Sequence, residues 1–429
     1  MTILGIIVGL FLISLMMLVH EGGHYFAGRL LKFRIVEFSI FMGPRIYSTE
    51  KDGIRYSFKL LPVGASVQFA GEGAEDDISD YAADDPGLFF NRPRWARAIV
   101  VFAGPLMNFV SAFLAFVIMF SIFGVAVPIL GQPGQASKAD KAGIVEGDRL
   151  LMVNEAKVNN TIDFSTAMLK ADPALPIQVT VKKQDGQVKA VALEPEFVDN
   201  YRIGVNLNQG LVEYVDPSSN KGQPVLEKGD KILSVNDQAY PEDSDIKQFI
   251  PQDRESAVRL TVEREGKKLD LVTETTHYRD SVDLGLNFTQ SKSVANIFSQ
   301  ALYYPWSIIR STISGFAMMF QGQVKFSDSV TGPVGIVKMF GDAVTDSASL
   351  SLMASRLIFY FAMISVALGF TNLFPIPPLD GFHLLILAIE GIRRKDLPEK
   401  LKNVVAIIGL IFILALAALV IYIDIKRFI

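Results

Sequence analysis

The chain has 429 residues, of which 50% are hydrophobic and 20% charged, a balance too apolar for an ordinary soluble enzyme and too charged for a protein buried wholly in lipid. Its net charge of −4 gives no basic surplus to hold nucleic acid. The absence of cysteine excludes disulfides, thiolate nucleophiles, Fe–S clusters and Cys-bound zinc, so any metal must sit on His, Asp or Glu.

The charge is unevenly placed. Met1–His20, Ala98–Ser137, Leu357–Leu379 and Asn403–Ile423 contain no Asp, Glu, Lys or Arg, and each is long enough to cross a hydrocarbon core about 30 Å thick. The predicted fold class is a polytopic α-helical membrane protein with four transmembrane helices, over 1–30, 98–128, 354–379 and 402–423. The first stretch reads as a span and not a cleaved leader, because Arg29, Lys32 and Arg34 follow it and no basic segment precedes it. Together with Arg92, Arg94, Arg97, Arg393, Arg394, Lys395, Lys400 and Lys402, these residues keep the first and last connections in the cytoplasm. Lys426 and Arg427 are a smaller dissent.

The first span ends in His20-Glu21-Gly22-Gly23-His24. On a helix, residues i and i+4 share a face one turn apart, so both imidazoles can bind one metal ion. Glu21 projects about 100° away, where it reaches a metal-bound water without being a ligand. Zinc lowers the pKa of such a water to about 7, and Glu21 can take its proton. Ionisable groups at the inner end of a span are costly and usually functional; the plainer alternative is a helix-end His pair in the interfacial layer. Gly22 and Gly23 weaken the helix but let another backbone come close.

Residues 35–70 read as a membrane-associated β-hairpin region. Ile54, Tyr56, Phe58 and Leu60 alternate with Arg55, Ser57 and Lys59 after an Asp52-Gly53 turn. Tyr56 and Phe58 are candidate substrate-binding residues, on a strand edge able to pair with an unwound substrate. A surface hairpin in the cytoplasm is the alternative. A cytoplasmic loop, 71–97, then leads to the second span.

The polar region after that span repeats itself. Gly147, Asp148 and Asn154 recur as Gly229, Asp230 and Asn236, each 82 residues on, within matching apolar runs. Gly-Asp is a turn, the run after it a buried strand, and Asn closes the next turn. The pattern resembles two tandem PDZ domains, small β-sandwiches that accept peptides on a sheet edge, over 130–206 and 207–280. Two β modules acting only as spacers remain the alternative.

Val294–Gln321 is apolar and aromatic but carries Asn296, Gln300 and Arg310. A span there would put Asp380 on the opposite side of the membrane from His20. The region 293–340 is therefore predicted as an interfacial amphipathic helix on the outer face, with Tyr303, Tyr304 and Trp306 at the interface.

The third span closes in Asn372-Leu-Phe-Pro375-Ile-Pro377-Pro378-Leu-Asp380-Gly381. Broken backbone at membrane depth is tolerated only where it lines an enclosed site. Zn²⁺ with neutral His20 and His24 and the carboxylates of Glu21 and Asp380 sums to zero charge, which suits a low-dielectric site. Capping of a following helix is a second use of Asp380, compatible with ligation. His277 falls in the outer region, on the wrong face for this site.

Together these motifs resemble the site-2 protease family, and the PDZ pair between spans two and three is similar to its bacterial RseP-like group. The resemblance covers nearly the whole chain and includes Ser57–Gly64 and Gly104-Pro105-Leu-Met-Asn108. It implies that His20, His24 and Asp380 are zinc ligands and that Glu21 is the general base. It also implies that Asn372 is a substrate-positioning or oxyanion-side group, with Pro375 and Pro377 beside it in substrate binding. Phe382, where a second Gly is usual, and Ala367, where an Asn is frequent, depart from the family pattern; His383 matches it and reads as supporting structure. The implied protein is a multi-pass protease of the bacterial inner membrane, in contact with membrane lipid. Its PDZ domains are periplasmic and its zinc lies near the cytoplasmic side. The implied substrates are single-pass transmembrane proteins already trimmed by a site-1 cleavage, such as an anti-sigma factor, and signal-peptide remnants; no nucleic acid is involved. Two rival functions are a catalytically silent PDZ scaffold, which leaves Glu21 unexplained, and a zinc transporter, which four helices and external repeats fit poorly.

Overall fold

A computed structural model describes the chain except for residues 1–2, 73–80, 135–136, 173–174, 195–196, 209, 217–218, 242–243, 282–283, 325, 327–329, 346, 348 and 429. The expected loop 71–97 thus lies partly outside the described residues. The chain forms two compact units: Met1–Pro128 with Ala156–Leu169 and Phe288–Ile429, and Ile129–Glu155 with Lys170–Asn287.

The first unit is helical. Its main helices are α1 (Ile3–Leu30), α2 (Arg94–Phe123), α3 (Thr161–Lys170), α4 (Val294–Phe320), α5 (Pro333–Thr345), α6 (Leu350–Asn372), α7 (Asp380–Arg393) and α8 (Glu399–Phe428). Among the described residues four of these, α1, α2, α6 and α8, are long and apolar enough to cross a membrane. Helix satisfies every backbone polar group internally, the condition for crossing lipid. α8 leaves Val404, Ile407, Ile408, Ile411 and Leu414 exposed, a surface that water would penalise and lipid does not. α2 stops at Phe123, short of the expected 128, because Gly124 takes a φ of 84° and returns its N–H to the Phe120 carbonyl before a strand begins at Val125.

The basic ends of the helices lie together. Arg92 donates to the Lys32 carbonyl, and Arg94 pairs with Asp396 at 2.7 Å. The end of α1, the start of α2 and the α7–α8 junction therefore share one end of the unit. At the opposite end, Lys292 donates to the Ile122 carbonyl at 3.0 Å, and the Asp424 carboxylate accepts from the N–H groups of Gly332 and Gly335 at 3.1 and 2.8 Å. The chain is at that far end both before and after α4, and among the described residues α4 is not one of the helices long and apolar enough to cross a membrane.

Two expectations about α4 need correction. Tyr304 is not an interface aromatic, since the residue is 5% exposed and its ring packs against Phe116 and Phe120 of α2; Tyr303 and Trp306 are the exposed pair. The polar residues that interrupt α4 grip the entrance to α3. Gln300 donates to the Asn159 carbonyl at 2.9 Å, and Arg310 pairs with buried Asp163 at 2.9 Å. Ser307 accepts from Asn160 at 2.8 Å. A buried charge of this kind is tolerable only when paired.

Between α1 and α2 lie β1 (Ile35–Lys51) and β2 (Ile54–Phe69), and each folds back on itself. Phe41 and Gly43 in β1, at φ 70° and 90°, and Gly64 in β2, at φ 85°, form the corners. The sheet consequently has four legs. Residues 35–40 pair with 65–69 on one side and with 55–58 on the other, and 54–59 also pair with 45–51. Tyr56 is opposite both Phe38 and Thr49, and Phe58 is opposite both Ile40 and Tyr47. Their leg is interior, so the expectation that Tyr56 and Phe58 offer a free edge does not hold. Inside the curl, Glu37 accepts from Arg45 at 2.6 and 3.2 Å.

The second unit carries two copies of one antiparallel arrangement. Arg149–Val153 pairs with Ile177–Lys182, which pairs with Val188–Leu193. Lys231–Val235 pairs with Ala257–Arg264, which pairs with Lys267–Glu274. Alternate residues Val258, Leu260 and Val262 are buried while Arg259 is exposed at the surface, the two-residue period of a half-buried strand. The repeated residues do the same work twice. Gly147 and Gly229 have φ of 87° and 97°, and Asn154 and Asn236 have φ of 50° and 49°. Asp148 accepts from the Val145 N–H and Asp230 from the Glu227 N–H, both at 2.9 Å. Asn154 accepts from the Gln178 N–H and Asn236 from the Arg259 N–H, both at 3.0 Å.

Candidate metal centre

His20 and His24 sit one turn apart on α1, and both are 8% exposed. Their Nε2 atoms are 3.2 Å apart. Asp380 comes to them from 356 residues away in sequence, with Oδ2 3.1 Å from His20 Nε2 and Oδ1 3.6 Å from His24 Nε2. One ligand atom from each residue lies within 4.8 Å of the others, and among the described residues this is the group with that property. Donors about 2.0–2.1 Å from a tetrahedral zinc are roughly 3.3 Å from one another. The observed separations bracket that value, and two imidazoles with one carboxylate are a donor set that zinc accepts. The residues fit the metal.

Glycines make this convergence possible. A Cβ on Gly104 of α2 would fall 2.2 Å from His24 Nε2, and one on Gly23 of α1 would fall 2.3 Å from the Ala103 carbonyl oxygen. Both helices can approach only because neither position has a side chain. A Cβ on Gly381 would likewise meet the Leu373 oxygen at 2.2 Å, so the residue after Asp380 must be glycine. Asp380 itself opens α7 one residue past the N-cap, Leu379. It makes no capping bond there, and its carboxylate faces the histidines, so capping is not its role. An acid in the first turn is still favoured by the helix dipole.

Glu21 stands beside the three donors and outside their cluster. Its Oε2 accepts from the Val67 N–H at 3.0 Å. Val67 belongs to the 65–69 leg, whose side away from residues 35–40 thus faces α1. Asn372, the last residue of α6, has its Nδ2 3.4 Å from His20 Nε2. A cavity of about 560 Å³ opens on this group, lined by His20, Glu21, His24, Val67, Asn372 and Asp380 among others.

The remaining expected residues divide. Pro375 and Pro377 do not line this cavity, where Pro378 and Leu379 stand instead. Pro377 is turned the other way, against Gly409 of α8, and is buried there. Tyr56 and Phe58 are also absent from the cavity wall; Tyr56 pairs with the Tyr25 hydroxyl at 2.7 Å. His383 lines the cavity without joining the donor cluster, and His277 belongs to the other unit. Sequence reasoning left two contacts unassigned. The Val100 carbonyl lies 2.8 Å from His24 Nδ1, and the Asn108 amide lies 3.1 Å from His20 Nδ1. The quoted motif Gly104–Asn108 held the signal for the second, since Gly and Asn four residues apart lie on one helix face.

Comparison with known proteins agrees with this chemistry. The chain is 27% identical to the regulator of sigma-E protease RseP of Escherichia coli (strain K12), over 97% of both proteins. It is 28% identical to a Rhizobium meliloti (strain 1021) protein with zinc metalloprotease in its name, over 97% of this chain and 95% of that one. Protease RseP of Yersinia pestis is 27% identical over 97% of both. The model of peptidase family M50 matches residues 8–416. The chain belongs to peptidase family M50 and is a zinc metalloprotease of the site-2 type, similar to RseP.

Proposed function

We propose that the protein is an intramembrane protease of the bacterial inner membrane. It cleaves transmembrane segments of single-pass proteins that another protease has already trimmed, of the anti-sigma-factor type, and remnant signal peptides. The observation that carries this reading is the donor cluster with Glu21 beside it, set between helices apolar enough to span lipid. The name of the Escherichia coli relative, a regulator of sigma-E, supports the substrate class.

His20 Nε2, His24 Nε2 and Asp380 hold the zinc, which when bound supplies a Lewis acid that polarises the scissile carbonyl and acidifies water beside it. Glu21 is the general base. The Val67 N–H fixes one of its oxygens, and the other takes the proton of the attacking water and returns it to the leaving amide nitrogen. Asn372, next to His20, donates its amide N–H to the substrate carbonyl and holds it in place. A transmembrane helix resists cleavage because its backbone bonds are internal; the 65–69 leg offers an extended partner for the unwound segment beside Glu21. The two β modules are PDZ domains, at 130–206 and 207–280, facing the periplasm. The basic end of the helices faces the cytoplasm, with the zinc nearer that side.

The test separates base from ligand. Glu21→Gln should abolish cleavage of a transmembrane reporter peptide and leave bound zinc at about one per chain, while His24→Ala and Asp380→Ala lose both. Loss of zinc from the Glu21→Gln protein would overturn the division of roles.

A further inference from the structure

Both zinc-facing imidazoles present Nε2 to the centre, so in each the proton must sit on Nδ1. For His24 the acceptor is plain, the Val100 carbonyl oxygen at 2.8 Å. For His20 the nearest neighbour of Nδ1 is the Asn108 amide, with Nδ2 at 3.1 Å, and the Asn372 amide stands farther off at 3.5 Å. Asn108 is 1% exposed, and its Oδ1 is buried without a hydrogen-bond partner. An amide donating to Nδ1 would leave the proton of His20 on Nε2, where it blocks ligation. A carboxamide has nearly the same shape after a half-turn. That half-turn brings the orphaned Oδ1 to Nδ1, where it accepts the proton and leaves Nε2 free.

We infer that Asn108 is a positioning residue that sets the tautomer of His20, with its Oδ1 accepting from Nδ1–H when zinc is bound. The inference rests on the reading of His20 and His24 as zinc ligands. The helix supplying Asn108 also supplies the Val100 carbonyl and the bare Gly104, so α2 determines the protonation of both imidazoles as well as their spacing. Partners of this kind orient metal-bound histidines and raise their basicity, and their loss commonly weakens metal binding about 10–100-fold.

The experiment measures zinc affinity of the full-length, solubilised chain by chelator competition, with the thermal unfolding midpoint of the zinc-free protein as a folding control. Asn108→Leu keeps the side chain branched at Cγ, at a larger volume, and removes the acceptor; it should weaken zinc binding by about 10–100-fold. Asn108→Asp restores an acceptor and should bind zinc within about threefold of the parent, or more tightly, as carboxylate–histidine–zinc arrangements do. Asn108 also packs against Gly369; Asp matches Asn in size, so a mere packing role would show as a lowered midpoint of the zinc-free Leu variant. Zinc loss accompanied by that drop overturns the inference, as does failure of the Asp and Leu variants alike, or undiminished affinity in Asn108→Leu. His24→Ala is the control on the underlying reading: retention of zinc there overturns the metal site itself, whereas its loss beside an unaffected Asn108→Leu overturns only the role of Asn108.

Discussion

Gly104→Ala is the smallest change that should empty the metal centre. The added methyl would lie 2.2 Å from His24 Nε2 and 2.9 Å from His20 Nε2, in the space where the two donors face the ion. Ordinary contact begins near 3.4 Å, so the imidazole or the helix must retreat by about 1.2 Å. His24 is not free to do so, because its Nδ1 is held by the Val100 carbonyl of the same helix α2. Ligand distances in a zinc site tolerate displacements of about 0.2 Å, so zinc affinity should fall at least about 100-fold, equivalent to roughly 2.8 kcal/mol. The sign on the helix itself is opposite, since Ala favours helix over Gly by about 1 kcal/mol. The clash also acts on the zinc-free protein, where overpacking of about 1–3 kcal/mol offsets or exceeds that gain. Chelator competition should therefore show weak zinc binding, while thermal unfolding shows an apo midpoint unchanged or modestly lowered. A Gly104→Ala protein that binds zinc within about threefold of the parent and cleaves its substrate would refute the close packing of α2 on the histidines.

Two further outcomes follow from the hairpin and the repeats. The Arg45 guanidinium, helped by Ser57 and Lys59 and opposed by burial, holds the Glu37 carboxyl at about 2, below its usual 4.5. The folded value is the lower one, so the ion pair contributes fully above pH 4.5 and is lost as the pH falls from there toward 2. Arg45 is half exposed, and screening reduces the contribution to about 1–2 kcal/mol. Glu37→Gln should lower stability by that amount at pH 7 and by progressively less under acid, as thermal unfolding across pH will show; an equal loss at pH 3 refutes the pair. The second outcome concerns specificity. Arg202 pairs with Thr276 in an antiparallel ribbon, so excising residues 203–275 and joining the ends with a two-residue turn leaves a closed hairpin. If the second module excludes bulky substrates, this protein should cleave untrimmed ones; a stable, zinc-loaded variant that still refuses them contradicts exclusion by that module.

Much of the site was legible in sequence because its signals are local. His20, Glu21 and His24 occupy one helix turn, and the second β module repeats the first at a constant offset, so both survive without knowledge of the fold. Asp380 was legible because a charge after 23 apolar and polar-neutral residues needs a partner. What was missed depends on distant packing. Alternation at Tyr56 and Phe58 marks a strand but cannot say which of its sides is covered; that is decided by the corners at Phe41, Gly43 and Gly64, where β1 and β2 double back. The same holds for Gln300 and Arg310. They read as an amphipathic surface, and their partners at Asn159 and Asp163 lie some 140 positions away. Pro377 marks a broken backbone, but only the bare Gly409 on α8 reveals which way it faces.

The central claim is that one zinc ion is held by His20, His24 and Asp380 with Glu21 outside its shell. Anomalous diffraction at the zinc edge from crystals of the unmodified protein tests it most directly. One peak is expected at about 2.0–2.2 Å from His20 Nε2, His24 Nε2 and an Asp380 oxygen, with both Glu21 oxygens beyond coordinating distance. A peak that includes Glu21, or one bound elsewhere with these three residues empty, would contradict it.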